Sequence, residues 1–192
     1  MINIEDVISS KSTNDVFLCR NFTDEILSWK ELNKTFHNAY EDNKILFTSF
    51  ATFNINYSEK YTSAYNNIFN KLRPLHPGEL HAAMTICHLI TGNDNTITDP
   101  DCAELKDTFI KLNKEQVPDP LPEMSPTIHS DAVDGFFIQF NGQSKWRIYK
   151  NEIPEEYILS SGDLIFIPKG LNHSVESLCP RNSVSISFFD PR

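Results

Sequence analysis

The sequence lacks any C-x-x-C pair, because its four cysteines, Cys19, Cys87, Cys102 and Cys179, are scattered along the chain. That excludes a zinc knuckle and a dense disulfide frame, and the four are expected to be reduced, mostly buried thiols. Cationic charge is also scarce, with 17 Lys and Arg against 26 Asp and Glu and a formal net charge of -9. Binding along a nucleic-acid backbone needs clustered cations that displace counterions, so nucleic acid is not an expected partner. No run approaches the roughly 18 to 20 apolar residues of a membrane span. The N-terminal stretch MINIEDVISSKSTND has no basic segment leading into an apolar one. The expectation is a cytoplasmic protein without a membrane partner. Internal repeats and low-complexity tracts are missing too, which leaves one domain over residues 1–192 as the expected organisation.

What is present divides by periodicity. Up to about Lys114 the patterns are mainly helical, with strands expected at DVFLCRNF and KILFTSF. Ser28 and Glu31 form a capping box for a helix carrying Leu32, Phe36 and Tyr40. Ser58 is placed to cap a second helix with Tyr61, Tyr65, Ile68 and Leu72. Residues 77–91 carry Leu80, Met84, Cys87 and Ile90 at helical spacing and are expected to form a third, stopped by Gly92. Asp99 and Pro100 open a fourth, with Leu105, Phe109 and Leu112 on one side. A bridge with Pro118, Pro120, Pro122 and Pro126 then disfavours helix and reads as an extended connector. After Thr127 the segments GFFIQFNG, SKWRIY, EYILSSGDLIFIP, HSVESL and SVSISFF are short, β-branched or aromatic, and bounded by turn residues. They read as barrel strands. Residues 1–117 would thus pack on a barrel formed by residues 127–192.

His129-Ser130-Asp131 sets two ligand-capable side chains at i and i+2. On a strand they point to one face and can reach one ion, whereas on a helix they would diverge. Further on, residues 162–173 read G-x5-P-x-G-x2-H, from Gly162 through Pro168 and Gly170 to His173. Gly162 with Asp163 suits a turn, LIFIP a buried strand, and Pro168 with Gly170 a tight bend. The other histidines, His37, His76, His81 and His88, have no third ligand at a recognisable spacing and read as surface or satisfied core residues.

The G-x5-P-x-G-x2-H segment resembles the second conserved motif of cupins. The first cupin motif is similar to H-x-H-x3-E-x6-G, and the corresponding residues here are His129, Asp131, Gly135 and Gly142. Spacing is kept while Asp replaces the second His and Gly replaces Glu. The remaining set of His129, Asp131 and His173 is the two-histidine, one-carboxylate triad of non-haem Fe(II) oxygenases, which leaves open positions for a cosubstrate and dioxygen. HSDAVDGFFIQFNGQSKWRIY further resembles the H-x-D strand pair of JmjC-type hydroxylases, in the ribosomal-oxygenase and asparaginyl-hydroxylase branches.

The resemblance implies a mainly β fold with accessory helices, a double-stranded β-helix or jelly-roll barrel of cupin type. It implies a hydroxylase using Fe(II) and 2-oxoglutarate, with His129, Asp131 and His173 as metal ligands and catalytic residues. Relatives anchor the distal carboxylate of 2-oxoglutarate on a lysine fifteen residues after the first ligand. Here that position is Ser144 and the lysine is Lys145, which strand parity turns to the opposite face. Arg147 shares that parity, and Arg181 lies in the loop eight residues after His173. Gln139, Phe137, Ser144, Lys145, Ser185 and Ser187 are the candidate cosubstrate residues. An amino acid, a peptide or a small metabolite is the expected substrate. The chain ends a few residues after SVSISFF, which disfavours a ribosomal target by analogy, and a homo-oligomer is compatible with the sequence. Two alternatives stay open: a metal-dependent cupin dioxygenase or isomerase that does not use 2-oxoglutarate, and a non-catalytic ligand-binding cupin.

Overall fold

The computed structural model describes residues 15–49, 52–56, 60–73, 79–87, 97–112 and 127–189. Among these residues ten strands and three helices follow one another as β1 (Phe17–Cys19), α1 (Trp29–Glu41), β2 (Ile45–Ser49), β3 (Thr52–Asn56), α2 (Ser63–Leu72), β4 (Glu79–Cys87), α3 (Pro100–Leu112), β5 (Asp134–Asn141), β6 (Ser144–Ile148), β7 (Glu155–Leu159), β8 (Leu164–Ile167), β9 (His173–Ser177) and β10 (Arg181–Phe189). The proline-rich bridge lies outside the described residues.

The strands form a seven-stranded sheet in the order β1-β8-β5-β10-β4-β3-β2 and a three-stranded sheet in the order β7-β6-β9. Every pairing is antiparallel. At β5 the large sheet is buried on both faces, as alternation along that strand shows. Phe136, Ile138 and Phe140 point to a core shared with Leu32, Phe36, Tyr65, Ile68, Leu105 and Phe109 of the helices. Phe137, on the other face, joins Ile165 and Ile167 of β8 against Trp146, Ile148 and Leu159 of the small sheet. The two sheets therefore close face to face over a second, smaller core, as the expected jelly roll requires.

The capping box is present: Glu31 N–H donates to Ser28 Oγ, and the Glu31 carboxylate accepts from Ser28 N–H. Leu32, Phe36 and Ala39 are fully buried, while Tyr40 stacks on Phe36 and stays 45% exposed. The expected α3 runs from Pro100, as its proline predicts. Cys102 is buried, and Cys19 and Cys179 are half-buried.

Two expectations are corrected. Within the helix expected over residues 77–91, the described residues 79–87 are instead the strand β4, paired along its whole length with β10 and over five residues with β3. A short apolar run fits a helix and a central strand equally well by periodicity, and hydrogen-bonding neighbours on both sides decide for the strand. His81 is thereby a strand residue opposite Ser187, and His88 lies outside the described residues. The cap of α2 is Thr62, whose Oγ1 accepts from Ala64 N–H, and Ser58 lies outside the described residues. Tyr61 precedes that helix and donates its hydroxyl to Asp42. Among the described residues no helix is long and apolar enough to cross a membrane.

The β7–β8 turn is fixed by Asp163, a buried carboxylate that accepts from the Arg20 guanidinium and from the backbone N–H groups of Asn21 and Ser160. Gly162 beside it has φ +90°, and a Cβ there would stand 2.7 Å from the Thr23 carbonyl oxygen. Gly170 also has positive φ, at +78°, but a Cβ there would meet nothing within 4 Å. Alanine at Gly170 should therefore cost about 1 kcal/mol of backbone strain, and alanine at Gly162 about 2 kcal/mol or more because the clash adds to the strain. Urea unfolding midpoints of the two variants check this order.

Candidate metal centre

Backbone pairing brings the site together. His129 and His173 form an isolated antiparallel bridge in which each N–H donates to the other's carbonyl, at 2.9 and 2.8 Å. Directly opposed residues of an antiparallel pair share a face, and the two imidazole centroids lie 4.4 Å apart. Asp131 follows two residues after His129 and returns to that face, its carbonyl tied by the Gly170 N–H at 2.8 Å. The turn carrying Gly170 also donates Lys169 N–H to the Asp134 carboxylate. The bend between β8 and β9 thus holds the H-x-D segment as well as delivering His173.

One donor atom from each of His129, Asp131 and His173 lies within 4.8 Å of the other two. Both rings are oriented from behind. Nδ1 of His129 faces the Thr127 carbonyl at 3.1 Å and Nδ1 of His173 faces that of Leu171 at 2.9 Å. A carbonyl oxygen only accepts, so Nδ1 carries the proton in both rings and the Nε2 lone pair is free for a ligand. His173 Nε2 lies 3.7 Å from Asp131 Oδ2. Burial holds the His173 imidazole below its ordinary pKa and His129 acts in the same direction, against the Leu171 carbonyl and Asp131. The ring is then neutral at physiological pH, the form that binds a metal.

His173 is buried at 1% exposure, whereas His129 is exposed and Asp131 half-buried, so the triad opens to solvent on one side. On the inner side Trp146 stacks at 25° to the His173 ring with centroids 5.7 Å apart, and Phe137 lies against both. Gly135 occupies the position where the cupin motif has Glu, and a Cβ there would stand 2.9 Å from the Phe137 ring. That ring fills the space a fourth ligand would need. Two imidazoles and one carboxylate, with no fourth protein donor beside them among the described residues, fit a divalent first-row ion with open positions.

The remaining candidates lie deeper or outside. Gln139 is buried, accepts from Ser144 Oγ and donates to the carbonyls of Asn141 and Asn182. Ser144 is fully buried and also accepts from Trp146 Nε1. Lys145 points to the outer face, 3.9 Å from Glu176, where Arg147 also pairs with Glu156 and Glu176. Ser185 and Ser187 stand opposite Phe137 and Gly135 on the barrel's inner side. Arg181 is not in a loop: it opens β10 and is buried. Its alternation with Ser183, Ser185 and Ser187 is the signal that could have marked it as an inward strand residue.

No family model matches the chain, and no curated protein matches it in sequence. Solved structures do. YcfD, a ribosomal oxygenase from Escherichia coli, in complex with cobalt and succinic acid, matches with a TM-score of 0.64 and 14% identity over 100% of this chain and 52% of that one. Its complex with cobalt and 2-oxoglutarate gives the same score and identity, over 100% and 53%. The likeness shows the fold alone, a mainly β jelly roll with accessory helices. The chain spans about half the length of the structures it matches.

A divalent ion bound here would stabilise the native state by mass action. At a free Co(II) concentration a hundredfold above its dissociation constant the gain should be about 2.7 kcal/mol, read as a rise in melting temperature. His173→Ala should abolish the rise, while Glu176→Ala, on the outer face, should keep it.

Proposed function

We propose that the chain is a non-haem Fe(II)- and 2-oxoglutarate-dependent hydroxylase, with His129, Asp131 and His173 holding the metal. The observation that carries this reading is the convergence of their three donor atoms within 4.8 Å at one end of a jelly roll. The fold of a ribosomal oxygenase whose structure contains cobalt and 2-oxoglutarate supports it. When bound, the iron with 2-oxoglutarate and dioxygen supplies the oxidation: one oxygen atom enters a substrate C–H bond, the other enters succinate, and CO2 leaves.

This chain's own residues prepare the site. The backbone carbonyls of Thr127 and Leu171 fix both imidazole tautomers. Asp131 contributes one negative charge. Trp146 and Phe137 exclude water from the inner side of His173, and the exposed His129 edge leaves the substrate's approach from solvent. An amino acid, a peptide or a small metabolite fits that open approach. A second reading, a metal-dependent cupin that does not use 2-oxoglutarate, is favoured by one observation: the lysine expected as anchor points away from the barrel.

Anaerobic titration of the Fe(II) protein with 2-oxoglutarate separates the two readings. The hydroxylase reading predicts a visible metal-to-ligand charge-transfer band, and slow succinate release once oxygen is admitted. Asp131→Ala should lose both. A wild-type protein that binds Fe(II) but shows neither band nor succinate supports the second reading.

A further inference from the structure

The His173 imidazole is held at its edge by one hydrogen bond, from Nδ1–H to the Leu171 carbonyl at 2.9 Å. A single bond leaves the ring able to tilt about it, and a tilt swings the Nε2 lone pair away from an ion shared with His129 and Asp131. The face of the ring is covered by Trp146, 25° from parallel with centroids 5.7 Å apart, and Phe137 closes on Trp146 at 4.7 Å. Trp146 thus limits the tilt, and it is itself held from behind.

Trp146 Nε1–H donates to Ser144 Oγ at 3.2 Å, and Ser144 Oγ donates to Gln139 Oε1 at 2.8 Å. Gln139 Nε2 donates to the carbonyls of Asn141 at 2.5 Å and Asn182 at 3.1 Å. Only one arrangement of protons fits. An indole N–H cannot accept, so Ser144 accepts from it and passes its single proton to Gln139, whose amide nitrogen then faces two carbonyls that can only accept. All three side chains are buried, where bonds of this kind are stronger and their loss costs more. The Gln139 main chain is tied as well, its N–H to the Asp163 carbonyl at 2.9 Å and its carbonyl to the Gly162 N–H at 2.7 Å. Asn141 and Asn182 stand opposite each other where the β5–β10 register shifts, so both acceptors sit at a bulge in the ladder. The Asn182 side chain accepts from the Tyr65 hydroxyl at 2.6 Å, which roots the chain of bonds in the helix-side core.

We propose that Gln139 and Ser144 are positioning residues for the metal centre, which act through Trp146 to fix the plane of the His173 imidazole. This assignment rests on the metal-site reading above. Neither residue touches the ion. The Ser144 proton and the Gln139 amide are committed inside the chain of bonds, so the two serve the metal ligand rather than the cosubstrate.

Titration with Co(II), followed by its ligand-field absorption, gives an affinity and a spectrum without turnover. The wild type should develop bands that His173→Ala abolishes. Ser144→Ala should raise the Co(II) dissociation constant about tenfold, the loss expected when a group that orients a metal ligand is removed, and should shift the bands. Trp146→Phe keeps a ring against His173 without the donor and should do the same. Adding Ser144→Ala to Trp146→Phe should cause no further loss, because the serine then has no indole to hold. Trp146→Phe carries the test by itself if Ser144→Ala does not fold. A purely structural role would lower the melting temperature and leave affinity and bands untouched. Either folded single variant with the wild-type affinity and spectrum, or a double variant whose losses add in full, overturns the positioning role while the metal site stands. If the wild type shows no bands that depend on His173, the metal reading falls and the positioning role falls with it.

Discussion

The pair of reciprocal backbone hydrogen bonds between His129 and His173 governs the rest of the site. They join a segment that belongs to no strand to the first residue of β9, and they set the two imidazoles side by side. Everything else follows from that register. A shift of one residue would turn Asp131 away, because side chains along an extended segment alternate faces. The Gly170 N–H bond to the Asp131 carbonyl opposes that shift, and the turn that supplies it also carries the chain into His173. The candidate metal-ligand set is therefore positioned by main-chain bonds, and its rings are oriented by main-chain carbonyls.

The large sheet supports this arrangement by serving two cores. One face meets the helices through Phe136, Ile138, Phe140, Leu164, Phe166, Val184 and Ile186. The other faces the small sheet, and its character changes across the barrel. Around β5, β6 and β8 it is aromatic and aliphatic, with Phe137, Trp146, Ile165 and Ile167. Along β10 it is a row of serines starting from Arg181. An inner wall that is dry beside His173 and polar along one strand is an arrangement that burial alone does not favour, since polar inward residues cost stability unless they bind something. The fold maintains it because the helix-side core supplies the apolar burial independently.

Much of this was legible from residue order. The strands after Thr127 appear where turn residues bound short β-branched or aromatic runs, and the capping box at Ser28 and Glu31 marks α1. Parity correctly turns Lys145 outward and Ser144 inward. What the residues do not encode locally is pairing. β4 reads as a helix because its apolar spacing fits both periods, and only β3 and β10 on its two sides settle the matter. Arg181 reads as a loop residue because Cys179 and Pro180 precede it, although the ladder with β4 begins at that position. The bridge between His129 and His173, 44 positions apart in the numbering, is likewise a tertiary fact that neither motif contains by itself.

The account stands or falls on one ion bound by three named atoms. Anomalous X-ray scattering from crystals of the protein grown with Mn(II) measures this most directly. The account predicts a single strong anomalous peak at the solvent-open end of the barrel, bonded to Nε2 of His129, Nε2 of His173 and a carboxylate oxygen of Asp131. Crystals that show no peak there, or a metal bound through Nδ1 of either histidine, would contradict it.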